Sequence, residues 1–305
     1  MQPPSSDSES GLTQAEIADA LRQTGIKSGE VVLVHSAMRT LGQITGGART
    51  VVDAFLEILG DGGTLVAPTF TFVHEAEEDP IIDPRNDRSE MGAISESVRT
   101  HPQALRSIAY RHSFAAIGRR AEVITGIDPA LSVFDLRSAF GVMLSLNTQV
   151  MVLGMTYSSS TSHHFAEWVC DVPYRRKFDL NVKVRKQDGT VSPQAMTDYQ
   201  PDNYKGSRRP DFNRLGRMLE EQGRSVACAV GNAAARRFPM RDLIDLAQVE
   251  AAKDYNVFRT AEGDTKAFTP LEFGNIVHSP EMLDAAGRTN HYQWCVVDES
   301  KLALP

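Results

Sequence analysis

Cysteine is scarce in this 305-residue chain: three residues, Cys170, Cys228 and Cys295, lie far apart without C-x-x-C spacing. An odd, sparse set of thiols argues against a disulfide scaffold or a zinc knuckle, and fits a reducing compartment. Basic charge is also short. Lys and Arg number 32 against 39 Asp and Glu, a formal net charge of −7. The chain therefore lacks the cationic face that grasps a phosphate backbone, and nucleic acid is not an expected partner. The negative balance steers cationic ligands toward the protein, or serves solubility alone. No apolar run approaches the ~20 residues that cross a bilayer, so no membrane role is expected. Residues 1–10 are polar and acidic, without the basic start and apolar stretch of a signal peptide. They read as a disordered leader, and the protein as cytoplasmic.

What is present is ample material for a core: 41% hydrophobic residues, with 23% charged. Thr13 and Glu16 form a capping-box pattern ahead of Ile17, Ala20 and Leu21, which predicts a helix over 14–24, stopped by Gly25. The continuous aliphatic run 31–34 suits a strand buried on both faces. A glycine-containing loop over 36–47 follows, and then Val51, Val52, Phe55, Leu56 and Leu59 recur at helical spacing. A second strand is expected over 64–72. The acidic, aperiodic stretch 73–90 reads as a long loop. Further helices are expected at 92–100, 136–146, 162–170, 211–221 and 243–252, and strands at 113–117, 149–153 and 225–230. Residues 180–184 and 191, around Asp188 and Gly189, resemble a hairpin. This alternation predicts a layered α/β fold with a mixed sheet. Residues 11–305 are expected to form a single domain carrying a hairpin insertion near 178–195.

The most informative segment is 158–168. Serines and a threonine precede a helix that carries His164 and Glu167, three residues apart and so on one face. A carboxylate beside an imidazole favours its protonated form and fixes the ring, which suits a general base. The competing reading is a structural pair at a helix start. His163 points to a different face, and no His-x-x-x-His spacing occurs here, so metal ligation is not expected. A second constellation, 35–47, leaves a buried strand, passes through Gly42, Gly46 and Gly47 and enters a helix. Its backbone amides could approach an anion. It is neither a P-loop nor a GxGxxG fingerprint, and a plain strand–loop–helix connection is the alternative. The acidic run from Glu75 to Asp79 could clamp an amine-rich ligand, or simply be solvated. Cys228, in an apolar strand, reads as core.

Taken in order, these pieces resemble the aminoglycoside 3-N-acetyltransferase family. The resemblance spans roughly 13–252. It rests on 34–42, on Gly46 and Gly47 ahead of 50–53, on 61–65, and on Pro68, Thr69 and Phe70. It continues through Met91, Gly92, Glu96, Arg99, Arg106, Ser107, Ser113, Ala116 and Gly118. Leu153, Gly154, Thr161, the segment from His164 to Glu167, and 171–173 complete it. The resemblance implies a three-layer α/β/α acyltransferase fold with a central mixed sheet, distinct from the GNAT acetyltransferases. It also implies acetyl-CoA or another acyl-CoA as donor and a small-molecule amine, of an aminoglycoside or amino sugar, as acceptor. On it, His164 is the catalytic base supported by Glu167. His35, Ser36, Ala37, Met38, Leu41, Gly42, Gly46, Gly47 and Ser113 help hold the CoA arm. No metal is implied, and a homodimer is the candidate assembly. The chain departs from the family pattern at Ala109 and Tyr110, where His-Pro is common, at Arg88 and Ser89, at His163 and at Ser158–Ser160. These departures keep open two alternatives: acylation of a biosynthetic amino-sugar or natural-product intermediate, and a CoA-binding relative without activity.

Overall fold

Alternate side chains of strand β1 (Val31–Ser36) enter two different cores. Val31 and Leu33 face one; Val32 and Val34 face the other. All six residues are buried, as a continuous aliphatic run requires when helices cover both faces of a sheet. Residues 11–201 and 209–260 are described in this computed structural model, together with the backbone of three short strands, Leu271–Phe273, Ile276–His278 and Val296–Val297. The expected leader over 1–10 and Cys295 lie outside the described residues.

The central sheet adds β2 (Thr64–Pro68), β4 (Leu105–Arg106), β5 (Phe114–Gly118), β6 (Gln149–Leu153), β9 (Val226–Val230) and β10 (Ala233–Pro239) to β1, in the order β4-β5-β2-β1-β6-β10-β9. Strand β1 runs parallel to both β2 and β6, and the remaining pairings are antiparallel. The sheet is therefore mixed, as expected. Helices α1 (Gln14–Arg22), α2 (Ala48–Leu59) and α3 (Ala93–Arg99) bury Ile17, Leu21, Val51, Val52, Phe55 and Ile94 against one face. Helices α4 (Ala121–Thr125), α5 (Ala139–Ser145), α6 (Ser162–Val169), α7 (Asn213–Glu221) and α8 (Met240–Ala251) cover the other, where Phe114, Phe140, Phe165, Phe212 and Phe238 form an aromatic core. Three layers result. The predicted capping box is present: the Glu16 amide donates to Thr13 Oγ1, and the Thr13 amide donates to Glu16 Oε2 at 2.8 Å.

A second, three-stranded sheet sits beside this sandwich. Strands β7 (Arg175–Arg185) and β8 (Val191–Pro201) pair in register from Arg175 opposite Pro201 to Arg185 opposite Val191, and the two-residue β3 (Ile81–Ile82) lies parallel to β7. The ribbon is longer than the hairpin signal at 180–191, and it draws part of the 73–90 loop into the ladder. Its own small core is Ile82, Val182, Val184 and Met196.

Two boundaries differ from expectation for identifiable reasons. Strand β2 stops at Pro68, whose ring nitrogen cannot donate to a ladder. The chain beyond stays extended only through Thr69 N–H to Ser113 O and Thr71 N–H to Arg111 O. Strand β10 had no sequence signal, because alanines and paired arginines are poor strand formers. Tertiary contacts override that preference. Arg236 is fully buried with Nε donating to Glu220, and Arg237 donates to the Thr24 carbonyl and to Gln149.

The parallel neighbours β1 and β6 leave the same sheet edge, and their exit loops are joined. Thr40 Oγ1 lies 2.7 Å from the Ala37 carbonyl and 3.0 Å from the Gly154 carbonyl, and the Ala37 amide donates to Leu153. Gly154 has φ of 69°, and a Cβ there would come within 2.1 Å of Thr40 Oγ1. Gly154→Val should therefore cost at least about 2 kcal/mol through left-handed strain and overpacking. Urea denaturation checks this, and an unchanged midpoint would contradict the joined-loop reading.

Candidate active site

The edge where β1, β2 and β6 end also receives the start of β5, because Phe114 pairs with Pro68. Ligand sites of α/β sheets collect at such carboxyl ends. From β6 the chain passes Gly154, makes a short turn at Tyr157–Ser159 and enters α6. That turn is fixed from α7. The Asn213 side chain accepts from the Ser158 amide, Ser158 Oγ accepts from the Phe212 amide, and the Tyr157 hydroxyl lies 3.0 Å from Glu220 and 2.7 Å from Ser225. The first turn of α6 is thus held before any ligand arrives.

His164 Nδ1 stands 2.5 Å from Glu167 Oε2. The Glu167 side chain is buried, and both its oxygens have partners: the Tyr174 hydroxyl donates to Oε1 at 2.7 Å, and Arg175 Nε lies 2.8 Å from Oε2. Burial alone would raise this carboxyl, but Arg175, His164 and Tyr174 together hold it below its ordinary range. The sequence had suggested that the carboxylate would favour a protonated imidazole. The structure reverses that balance. Burial, reinforced by the Arg175 cation, outweighs Glu167 and pushes His164 down to about 4. His164 is therefore neutral at pH 7. Its Nδ1–H tautomer is assigned from the short contact to Glu167. Nε2 has no hydrogen-bond partner among the described residues, while the side chain stays 18% exposed. A neutral imidazole, oriented by a carboxylate and open at its second nitrogen, can take up a proton.

His163 faces the core instead. It is fully buried, stacks on Phe212 with ring centroids 4.8 Å apart, and directs Nδ1 to the Ser160 carbonyl. Burial pushes it down to about 3, and likewise His35 to about 3.

The structure sorts the loop residues singled out from the sequence. His35, Ser36, Ala37 and Leu41 are buried; Met38, Gly42 and Gly47 are part-exposed; Gly46 is exposed. Helix α2 begins after Gly47 with no side-chain cap, so its first amides lack a side-chain acceptor. Gly46 and Gly47 take φ of 81° and 71°, backbone that other residues rarely adopt. Ser113 reaches the same edge from β5, three strands away from β6 in the sheet order. Its hydroxyl lies 2.8 Å from the Thr69 carbonyl and accepts from Arg106 Nε at 3.2 Å. Arg106 is tied wholly to neutral groups, donating also to the carbonyls of Pro84, Asp87 and Thr69 and to the Thr71 hydroxyl.

Several groups at this edge carried no sequence signal. The motif pattern ended at Pro173, one residue short of Tyr174 and Arg175. His112, beside Ser113, packs edge-on against Phe70 and Phe134, and Phe134 in turn meets the His164 ring edge-on at 6.5 Å. Asp198, from β8, lies 3.7 Å from His112 Nδ1 and 3.5 Å from Arg111. The acidic run is largely paired. Glu75 meets Arg111 at 3.1 Å, Glu77 meets His74 at 3.1 Å, and Asp79 meets Lys183. Among the described residues no group of three or more His, Cys, Asp or Glu side chains is placed to hold a metal, and no helix is long and apolar enough to cross a membrane.

The buried neutral histidines set a pH dependence. Their unfolded values lie near 6.5, so below that pH the unfolded chain takes protons that the native state refuses. Stability is full above pH 6.5 and falls toward pH 3 by up to about 1.4 kcal/mol per pH unit for each such imidazole. His74 works in the opposite sense, because Asp87 and Glu77 raise it. Urea midpoints should fall from pH 7 to pH 5, above the ordinary carboxylate range, and His163→Phe should flatten that slope. An unchanged slope in the variant would show that His163 is not held neutral.

The sequence profile described as aminoglycoside 3-N-acetyltransferase matches residues 33–250. Among relatives, aminoglycoside N(3)-acetyltransferase IV of Salmonella sp is 29% identical over 245 residues, covering 80% of this chain and 89% of the relative. Aminoglycoside N(3)-acetyltransferase VII of Streptomyces paromomycinus is 26% identical over 263 residues, covering 78% and 91%. Among solved structures, the apoenzyme of aminoglycoside acetyltransferase AAC(3)-IVa superposes with a TM-score of 0.68 at 26% identity, covering 84% of this chain and 94% of that one. AAC-IIIb in its binary complex with CoASH gives a TM-score of 0.73 at 22% identity, covering 83% and 100%, and shares the fold. With the profile spanning most of the chain, and with an α/β/α sandwich that these acetyltransferases share, this chain belongs to the aminoglycoside 3-N-acetyltransferase family of acyltransferases.

Proposed function

We propose that the protein transfers an acetyl group from acetyl-CoA, or a related acyl group, to an amine of an aminoglycoside or amino sugar by direct attack, with His164 as general base. The observation that carries this reading is the neutral His164 ring. Its Nδ1–H is held by buried Glu167, and its Nε2 is left to a ligand at the carboxyl edge of the sheet. Family membership and the names of the relatives supply the acyl-transfer chemistry.

The residues of the donor side fit an acyl-CoA arm. The loop 35–47 offers open glycine backbone and the uncapped start of α2, suited to carbonyl or anionic groups. Ser113 lies on the same sheet edge, with β2 between it and the strand that precedes this loop. An unprotonated acceptor amine attacks the thioester carbonyl carbon, and a C–N bond forms as the carbonyl oxygen becomes an oxyanion. Backbone N–H groups of the 36–47 loop are the candidate donors to that oxyanion. As the attacking nitrogen becomes positively charged, His164 Nε2 takes one of its protons, and Glu167 steadies the imidazolium through Nδ1–H. Collapse breaks the C–S bond, and the imidazolium returns its proton to the leaving thiolate. Holding amine and thioester within about 3–3.5 Å supplies much of the acceleration. A covalent acyl-enzyme is not part of this route. Burial raises the thiols of Cys170 and Cys228 to about 11, which suits packing rather than nucleophilic attack.

One observation favours a second acceptor class, a biosynthetic amino sugar or natural-product amine. Glu75, Glu77 and Asp79 already meet Arg111, His74 and Lys183, so three of the four acids between Glu75 and Asp79 are engaged and less open to a polycation.

Free thiol release from acetyl-CoA, followed with a panel of aminoglycosides and amino sugars, tests the reading. His164→Ala should lower kcat by about 10²–10⁴-fold. Glu167→Gln should lower it less, because hydrogen bonding still orients the ring. Full turnover by His164→Ala removes the base assignment, and a radiolabelled acyl group that survives on denatured protein removes direct attack. CoA binding without turnover on any amine identifies an inactive relative.

A further inference from the structure

We propose that Arg175 is a positioning residue for the His164–Glu167 pair: from the first residue of β7 it clamps the carboxylate and keeps the imidazole in its neutral, proton-accepting form until the acceptor amine delivers a proton. This rests on the reading of His164 as the base and assigns a role to a residue outside the family motif quoted above.

The geometry is specific. Arg175 Nε lies 2.8 Å from Glu167 Oε2, an ion-pair contact without hydrogen-bond alignment, on the same oxygen that faces His164 Nδ1, and Arg175 Nη2 lies 3.0 Å from Nδ1 itself. The guanidinium is buried, spans toward the Tyr199 ring with 5.4 Å from its carbon to the ring centroid, and places Nη1 3.3 Å from the Tyr199 carbonyl. It therefore cannot swing away from the pair without unpacking the hairpin. Tyr174, the preceding residue, occupies the other carboxylate oxygen.

Two consequences follow from elementary chemistry. A guanidinium only donates, so its Nη2 cannot bond Nδ1 while that nitrogen carries a proton. If position 167 offered no acceptor to Nδ1–H, Arg175 would stabilise the opposite tautomer, with the proton on Nε2 and no lone pair for the acceptor amine. Glu167 at 2.5 Å, against Arg175 at 3.0 Å, decides the tautomer. Secondly, a fixed cation beside the ring opposes a second positive charge, so His164 stays neutral when the site is empty. The charged and titratable groups facing the ring are few. Glu167 and His163 come from α6, Arg175 and Tyr174 from the start of β7, and His112 from the approach to β5, with Asp198 and Arg111 behind it. Arg175 is the cation of this set in direct contact.

The test is an NMR titration of the His164 imidazole in the full chain, its signal identified by its loss in His164→Gln, together with the pH profile of kcat. In the native protein the ring should not titrate above about pH 5. Arg175→Gln should raise the midpoint by about one pH unit or more and move the acidic limb of kcat with it. Arg175→Lys, which keeps the charge, should hold the midpoint near its native position while lowering kcat, with KM for acetyl-CoA little changed. Because Arg175→Gln leaves a buried carboxylate without its cation, the same comparison is made between Glu167→Gln and Glu167→Gln/Arg175→Gln, where no lone buried charge remains. A midpoint that does not move in either comparison overturns the proposal, as does a native midpoint near 6.5. Turnover unaffected by His164→Ala would instead overturn the base assignment, and the titration reads the role of Arg175 independently of that result.

Discussion

Burying the Glu167 carboxylate is the constraint on which the site depends. An ionised carboxyl out of water is tolerated only when its oxygens are satisfied. Here the partners come from two places: His164 from the same helix, and Tyr174 and Arg175 from the start of the long hairpin. Helix α6 and strand β7 must therefore dock together for either to be stable where it is. The hairpin is an integral wall of the site, and through Asp198 and the Lys183–Asp79 contact it also binds the approach to β5 and the 73–90 segment.

The histidines show how one residue type takes different roles from burial and partners alone. His163 and His164 are adjacent, yet one stacks in the aromatic core while the other keeps an open nitrogen. His74, between Glu77 and Asp87, is drawn toward the charged form. His164 also touches a carboxylate but is held neutral, because Arg175 stands on the same side of the ring and burial penalises any net charge there.

Much of the fold was legible in the residues. Continuous aliphatic runs located β1 and β6, helical spacing located α2, and the Thr13–Glu16 pattern located α1, because each reflects a local preference that packing reinforces. Strand β10 was not legible. Its alanines and arginines are stabilised only by Glu220, Gln149 and Thr24, which lie far away in sequence. The pairing of His164 with Glu167 could be read from helical periodicity, whereas the protonation state of the ring could not. It depends on burial and on Arg175, both properties of the docked hairpin and helix. The acidic run illustrates the same limit. Its charges are visible in the sequence, whereas Arg111 and Lys183, which meet Glu75 and Asp79, are brought to it only by the fold.

The two walls of this edge are held by different kinds of force. Arg106 fastens Thr69, Thr71, Pro84, Asp87 and Ser113 through half-buried bonds to neutral acceptors. The outer strap relies on charge pairs, Asp79 with Lys183 at the surface and Glu75 with the largely buried Arg111. Mobile ions weaken exposed charge pairs far more than bonds to neutral carbonyls. Rising ionic strength therefore loosens the exposed Asp79–Lys183 end of the strap before it disturbs the neutral bonds around Arg106.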